Sequence, residues 1–267
     1  MEGYEEFKFT YPSPEYEVGI VHGKMNSEEK EKISIQMNGK GPTGNLYSVI
    51  KRDGVTSKIK VCIDNPNVEL PLNNVGKLDV GGAVGKNGFL NILKENNVTD
   101  TDYNGLVNLV SGEIAEDFAE YFAKSKQTPT VVALGVLVNQ FGVKTAGGYM
   151  IQLMPDATEE DIVSIENALK EAPSITAMLS ENKSLEEIVR TITGDKDIMV
   201  LASEPKIVYE CDCNKEKFEK GIISLGKEEL SKIIEEDGKA EIKCHFCNKE
   251  YNFTKKELEE ILDRIKK

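Results

Sequence analysis

The sequence predicts an α+β protein. It reads as a mixed-sheet N-terminal core domain over 1–157, a helical linker region over 158–203 and a small cysteine-bearing C-terminal domain over 204–267. Three observations carry this. Short alternating runs and turn clusters fill the first part, and capping-box pairs open the second. The third is a composition shift near Glu204-Pro205: four of the five cysteines lie beyond it. The first 203 residues carry a net charge of −11 and the last 64 a net of −2, together the −13 of the chain.

Ile33, Ile35 and Met37 alternate with polar residues and run into the turn cluster Asn38-Gly39-Lys40-Gly41-Pro42. Leu46–Ile50 and Ile59–Ile63 read as further strands, with Asp53-Gly54 as the hairpin turn between them. Ser111 is expected to cap a helix whose first turn holds Glu113 and whose apolar face is Ile114, Phe118, Tyr121 and Phe122. Val131–Val138 reads as a buried strand. Tyr149–Met154, after Gly147-Gly148, reads as another. A softer boundary falls at Pro155-Asp156-Ala157.

Thr158 with Asp161, and Ser184 with Glu187, are capping-box pairs. The stripes that follow, Ile162, Ile165 and Leu169, then Leu185, Ile188, Val189 and Ile192, are narrow, so these helices need a partner surface. In the last segment, Phe218–Ile223 and Leu230–Ile234 read as short helices. Thr254 with Glu257 starts a final one bearing Leu258, Ile261, Leu262 and Ile265.

Composition excludes several function classes. A net of −13 argues against a protein that grips a phosphate backbone, so no nucleic-acid partner is expected. No run of 18 apolar residues is present, so no membrane partner is expected, and the acidic N-terminus lacks a secretory pattern. A reducing, cytoplasmic location is the default reading. There, cysteines serve more often as metal ligands or redox groups than as a static disulfide framework.

Cys211 and Cys213 form a C-x-C pair, and Cys244 and Cys247 form a C-x-x-C pair; 30 residues, 214–243, lie between them. Four thiolates can close a tetrahedral zinc shell, with each pair supplying two ligands from one turn. Calcium and magnesium want oxygen ligands instead. Lys215, Lys217, Lys243 and Lys249 lie near the ligands in sequence and can offset the negative shell. Two readings stay open on chemistry alone. One is a purely structural zinc knuckle, whose metal supplies on the order of 10 kcal/mol of folding free energy. The other is a switch in which oxidation to disulfides expels zinc.

Elsewhere the signals are weaker. Cys62, alone in its strand, reads as a small core residue. His245, inside the C-x-x-C turn, is expected to face solvent because four cysteines already fill the shell, and His22 reads as a surface residue. Gly81–Gly85 with Lys86 fails the phosphate-loop spacing, because Val80 stands where a glycine is required. Glu113, Glu116, Asp117 and Glu120 read as a solvated helix face. With two histidines and no nucleophile–base pattern, no catalytic residues are expected and the chain does not read as an enzyme.

The sequence resembles the 33 kDa heat shock protein (33 kDa chaperonin) family of redox-regulated molecular chaperones over roughly residues 24–267. The resemblance rests on Asn38–Gly44, Asn65–Pro71, Val80–Gly85, Ser111–Phe118, Gln127–Pro129, Ala133–Val136, Gly147–Tyr149 and the four C-terminal cysteines, in the family's order. Residues 1–23 depart from it: they do not look like the further strand and helix with which family members usually begin. The resemblance implies a cytosolic, ATP-independent holdase of oxidative stress. In the reduced form Cys211, Cys213, Cys244 and Cys247 would bind one zinc per chain and the chaperone would be off. Oxidation would form the disulfides Cys211–Cys213 and Cys244–Cys247, release zinc, unfold the C-terminal domain and expose apolar surface to unfolding client proteins. A homodimer of the oxidised form is also implied. Two alternatives remain: a thiol–disulfide oxidoreductase using Cys244-x-x-Cys247, and a zinc-ribbon nucleic-acid binder.

Overall fold

The computed structural model describes residues 7–10, 17–20, 30–53, 56–96, 102–153, 157–194 and 206–265. The chain divides into two compact units. One comprises Met1–Ser57 and Ile63–Lys206; the other comprises Lys58–Cys62 with Ile207–Lys267. Gly54, His22, Glu204 and Pro205, and the Met154–Asp156 stretch, each the subject of a sequence expectation, lie outside the described residues.

In the first unit, β1 (Phe7–Thr10) and β2 (Glu17–Ile20) pair antiparallel. The main strands β3 (Lys30–Asn38), β4 (Leu46–Asp53), β6 (Phe89–Asn96) and β7 (Tyr103–Asn108) lie in the order β4-β3-β6-β7. Their pairings are antiparallel, with Ile35 opposite both Ser48 and Ile92. Period-two alternation puts Met37, Leu90, Ile92 and Val107 on one buried face. Against that face lies α2 (Ile114–Ser125), through Ile114, Phe118, Tyr121 and Phe122. The α+β class therefore holds, and so does the predicted stripe of α2.

Three glycine-bearing signatures meet at one crossing. The short helix α1 (Val80–Val84) forms despite Gly81 and Gly82, because Asp79 accepts the Gly82 N–H at 2.9 Å and Glu113 accepts that of Gly81 at 3.0 Å. Gly41 N donates to the Val84 carbonyl at 2.9 Å. Gly85 sits at φ +78°, with the Gly39 carbonyl 2.4 Å from where a side chain would begin. Glycine is needed at that position for conformation and for space.

Three expectations about this unit are corrected. Ser111 does not cap α2: its hydroxyl accepts the Glu113 N–H at 3.2 Å, and the helix begins one residue after Glu113. Asp117 is not on a solvated face. It is fully buried, and its carboxylate accepts the Val110 and Ser111 N–H groups at 2.6 and 3.3 Å. Closing the β7–α2 turn needs an acceptor inside the fold, which a face pattern does not reveal. Lastly, Gly147 and Gly148 lie within a strand rather than before one. That strand is β9 (Gly142–Gln152), which pairs with β8 (Thr130–Asn139) as a two-stranded ladder.

The β8–β9 ladder is also not a buried strand pair. One face receives α4 (Ile175–Ser180), with Gly135 paired to Gly147, Gly135 lying under Ile175 and Thr176 and Gly147 under Leu179 and Ile175. Leu134, Val136, Val138, Val143 and Met150 remain exposed. An apolar run shows that a strand can be buried, not how many of its faces are covered.

α3 (Glu159–Glu171) and α5 (Leu185–Thr193) carry both predicted capping boxes, Thr158 with Asp161 and Ser184 with Glu187. With α4 they bury Ile175, Met178, Ile188 and Ile192 against Tyr149 and Ile151 of β9. The ladder is the partner surface their narrow stripes required.

In the second unit β10 (Lys206–Tyr209) is a neighbour of β5 (Thr56–Ile63), whose Lys58–Cys62 stretch belongs here. α6 (Lys215–Ser224), α7 (Lys227–Glu236) and α8 (Lys255–Ile265) surround the hairpin of β11 (Lys239–Lys243) and β12 (Glu250–Thr254). Leu230, Phe253, Leu258 and Ile261 form the centre of its core. Thr254 and Glu257 make the predicted box at the start of α8, at 2.8 and 3.4 Å. The Lys215 ammonium at 2.5 Å, with the Thr254 N–H and hydroxyl, holds the Glu257 carboxyl down at about 2.

A candidate four-sulfur metal centre

Each cysteine pair sits at the end of a strand. Cys211 and Cys213 follow β10, immediately before Asn214, whose side chain accepts the Lys217 N–H at the start of α6. Cys244 ends β11, and a tight turn brings the chain back into β12. The Cys244 N–H donates to the Lys249 carbonyl at 2.9 Å, the Asn248 N–H returns to the Cys244 carbonyl at 2.8 Å, and Asn248 takes φ +60°. A C-x-x-C motif at a strand turn differs from the helix N-terminus that activates an oxidoreductase thiol.

The fold brings the four predicted sulfurs together, all within 4.8 Å of one another. Cys211 Sγ lies 3.7 Å from Cys244 Sγ, and Cys213 Sγ lies 3.4 Å from Cys247 Sγ. A tetrahedral shell with metal–sulfur bonds of ~2.3 Å separates its sulfurs by ~3.8 Å, so the donor set fits a thiophilic cation. Cys244 is buried, Cys211 and Cys213 are half-buried, and Cys247 is exposed. His245 is exposed and outside the cluster, as expected. Cys62 is also outside it, and half-buried rather than in the core, on a strand none of whose residues is fully buried.

The sulfurs are electrostatically unequal. The Tyr251 hydroxyl reaches Cys213 Sγ at 3.1 Å, and this bond, helped by the neighbouring sulfurs, lowers the Cys213 thiol to about 7. Loss of water pushes Cys211 up to about 12. At Cys247 the Lys249 N–H favours the thiolate, but the Cys213 sulfur and desolvation outweigh it, and the thiol stands above its ordinary value. A cation entering this site would displace protons held at least at Cys211 and Cys247, so its affinity should fall in acid.

Two residues of the surroundings escaped sequence reasoning. Lys60 of β5 forms an ion pair at 2.7 Å with Asp212, the middle residue of the C-x-C turn, and lies over the Phe246 ring, within the C-x-x-C turn, at 4.6 Å. It touches both cysteine turns, the first of them 152 positions away in sequence. Around it the Glu210 N–H donates to the Ile59 carbonyl at 3.0 Å, and Lys58 pairs with Glu210. The second residue is Tyr251, whose place on the buried side of the β11–β12 hairpin follows from alternation. Of the four lysines expected to offset the shell, Lys217 binds Asp212 at 2.6 Å, Lys215 is engaged by Glu257 and Phe253, Lys243 pairs with Glu250 and Lys249 lies over Tyr251.

Comparison with known proteins agrees with this arrangement. Residues 18–254 match the family model described as Hsp33 protein. A 33 kDa chaperonin of Caldanaerobacter subterraneus is 42% identical over 239 residues, which cover 89% of this chain and 80% of that one. One from Clostridium perfringens is 43% identical over 256 residues, 93% of this chain and 78% of the relative. The crystal structure of the 33 kDa chaperonin of Thermotoga maritima superposes with a TM-score of 0.76 at 39% identity, covering 89% of this chain and 79% of that one. Among the described residues no helix is long and apolar enough to cross a membrane. Sequence signatures, fold and sulfur cluster thus converge, and the chain belongs to the Hsp33 family of chaperones, the 33 kDa chaperonins.

Proposed function

We propose that this chaperone is a redox-regulated, ATP-independent holdase of the cytoplasm, whose four clustered sulfurs are its switch. The observation that carries the reading is the gathering of Cys211, Cys213, Cys244 and Cys247 within 4.8 Å in a member of this family. In the reduced form the four would hold one zinc ion, which supplies folding free energy to a unit with a small core. Lys60 and Tyr251 orient the two turns from outside, and the buried side of the β11–β12 hairpin joins the sulfurs to the core around Phe253.

Oxidation follows from the same residues. Two thiolates give up two electrons and form a disulfide; one peroxide accepts them with two protons and leaves as two waters. Cys211 with Cys213, and Cys244 with Cys247, would consume two peroxides in this way. The site loses its four charged ligands and with them its hold on the cation. The second unit then loses much of its stability and apolar surface is released to unfolding clients. A second copy of the chain is a candidate partner for the same exposed surface, giving the oxidised homodimer.

The test is to count zinc and free thiols before and after peroxide, alongside aggregation of an unfolding client. The expected outcome is about one zinc per chain, four thiols lost with the metal, and suppression of aggregation by the oxidised protein only. Equal suppression by the reduced, zinc-loaded protein would refute the switch. Catalytic reduction of insulin disulfides would favour the oxidoreductase reading, and salt-dependent binding to DNA or RNA the zinc-ribbon reading.

A further inference from the structure

We propose that Tyr251 is a positioning residue of the sulfur site: its hydroxyl donates its proton to Cys213 Sγ, fixing that sulfur's orientation toward the cation and slowing its reaction with oxidants. The inference rests on the metal reading above and concerns which group governs how readily the site opens.

Tyr251 is buried on β12, with its ring tilted against Phe218 at a centroid distance of 4.8 Å, so the phenol is held by the core rather than free to sample solvent. Its oxygen lies 3.1 Å from Cys213 Sγ and 3.0 Å from the carbonyl oxygen of the same residue. A phenol has one proton and must choose between these acceptors. When Cys213 is a charged ligand, the bond to sulfur is charge-assisted and preferred over a neutral carbonyl. Cys211 and Cys247 receive backbone N–H groups, from Cys213 and Lys249. The contact at Cys213 thus comes from a side chain, and substitution can alter it alone.

A donor on a metal-bound thiolate withdraws electron density from the sulfur lone pairs. It makes the sulfur a weaker nucleophile toward peroxide, and it fixes the sulfur's orientation toward the ion. Tyr251 also belongs to the buried cluster of this unit, so it joins the packed core to one particular sulfur. The competing explanation is that the hydroxyl merely satisfies the Cys213 carbonyl and has no effect on the sulfur.

The experiment uses the full reduced chain and the variant Tyr251→Phe, which keeps the ring. With cobalt(II) in the site, the sulfur-to-cobalt charge-transfer bands should shift in the variant. Chelator competition should show about 10-fold weaker metal binding, the lower end of the effect of losing an outer-shell partner. Peroxide should release zinc several-fold faster. Unchanged bands together with unchanged release would overturn the proposal. Wild-type protein loaded with cadmium-113 gives an answer that does not depend on the variant folding. Scalar coupling between the ion and the Tyr251 hydroxyl proton, through Cys213 Sγ, supports the proposal. A normal four-sulfur cadmium resonance without that coupling places the proton on the carbonyl and refutes it. Wild-type protein that binds neither ion through its cysteines refutes the metal reading and this inference together.

Discussion

Lys60 and Asp117 show how much a single side chain can hold. Lys60 and Asp212 have side chains only 16% and 24% exposed, so their pairing is partly shielded from water. Lys60→Met should therefore cost about 1 kcal/mol, and the cation–π contact with Phe246 about 0.5 more. Urea unfolding of the zinc-loaded protein, followed in the second unit, should show this. Asp117→Ala leaves two part-buried backbone N–H groups at the β7–α2 turn without their acceptor and should cost about 2 kcal/mol, read from the same unfolding curves in the first unit. The four cysteines were legible because metal-ligand spacing is local. Lys60 was not, since nothing near residue 60 signals a partner at 212. Asp117 was misread because its neighbours Glu113, Glu116 and Glu120 make that side of the helix look uniformly solvated.

Helices and strands add a second layer, in which neighbours set how much of each pattern is realised. Both capping boxes in α3 and α5 were legible from four residues apiece, since the box is a property of one turn. The half-covered state of β8–β9 was not, because a strand's pattern does not show what lies over each face. The pairing of Gly135 with Gly147 is what lets α4 lie close on the ladder. Gly135→Val would drive its side chain into Ile175 and Thr176, which cannot swing aside because both are β-branched. The expected outcome is a loss of about 2 kcal/mol, stronger binding of an apolar dye and faster proteolysis within α3–α5, with zinc content unchanged. The cap of α5 gives a pH test. The Ser184 N–H, with its hydroxyl, holds the Glu187 carboxyl below its ordinary value. A carboxylate depressed in the folded state contributes stability above its unfolded pKa, and that contribution fades as pH falls through the folded one. Glu187→Gln should therefore speed amide exchange in α5 at pH 7, and the gap from the wild type should narrow steadily below about pH 4.3.

At the scale of the whole molecule, removal of a bound metal should affect one unit and spare the other. A chelator with reductant should melt α6–α8, seen as lost helical signal and fast amide exchange in 207–265, while β3, β4, β6 and β7 stay protected. Simultaneous loss of protection in both units would show that they unfold as one. The α+β class and the cysteine-bearing end were legible because composition and turn signals are distributed along the chain. The membership of Lys58–Cys62 in the second unit was not, because a strand between two strand-like neighbours carries no mark of which partner it will join.

That membership has a consequence in time. The second unit is discontinuous, so a ribosome delivers its first piece early and begins the rest at Ile207, 145 positions after Cys62. At about 5–20 residues per second, Lys58–Cys62 waits on the order of 10–30 s before Glu210 and the first cysteines are made. The Lys58–Cys62 support of the sulfur site is thus the oldest part of its unit, and all four sulfurs arrive after it. A nascent chain halted anywhere in that interval would carry Lys60 with no site to serve.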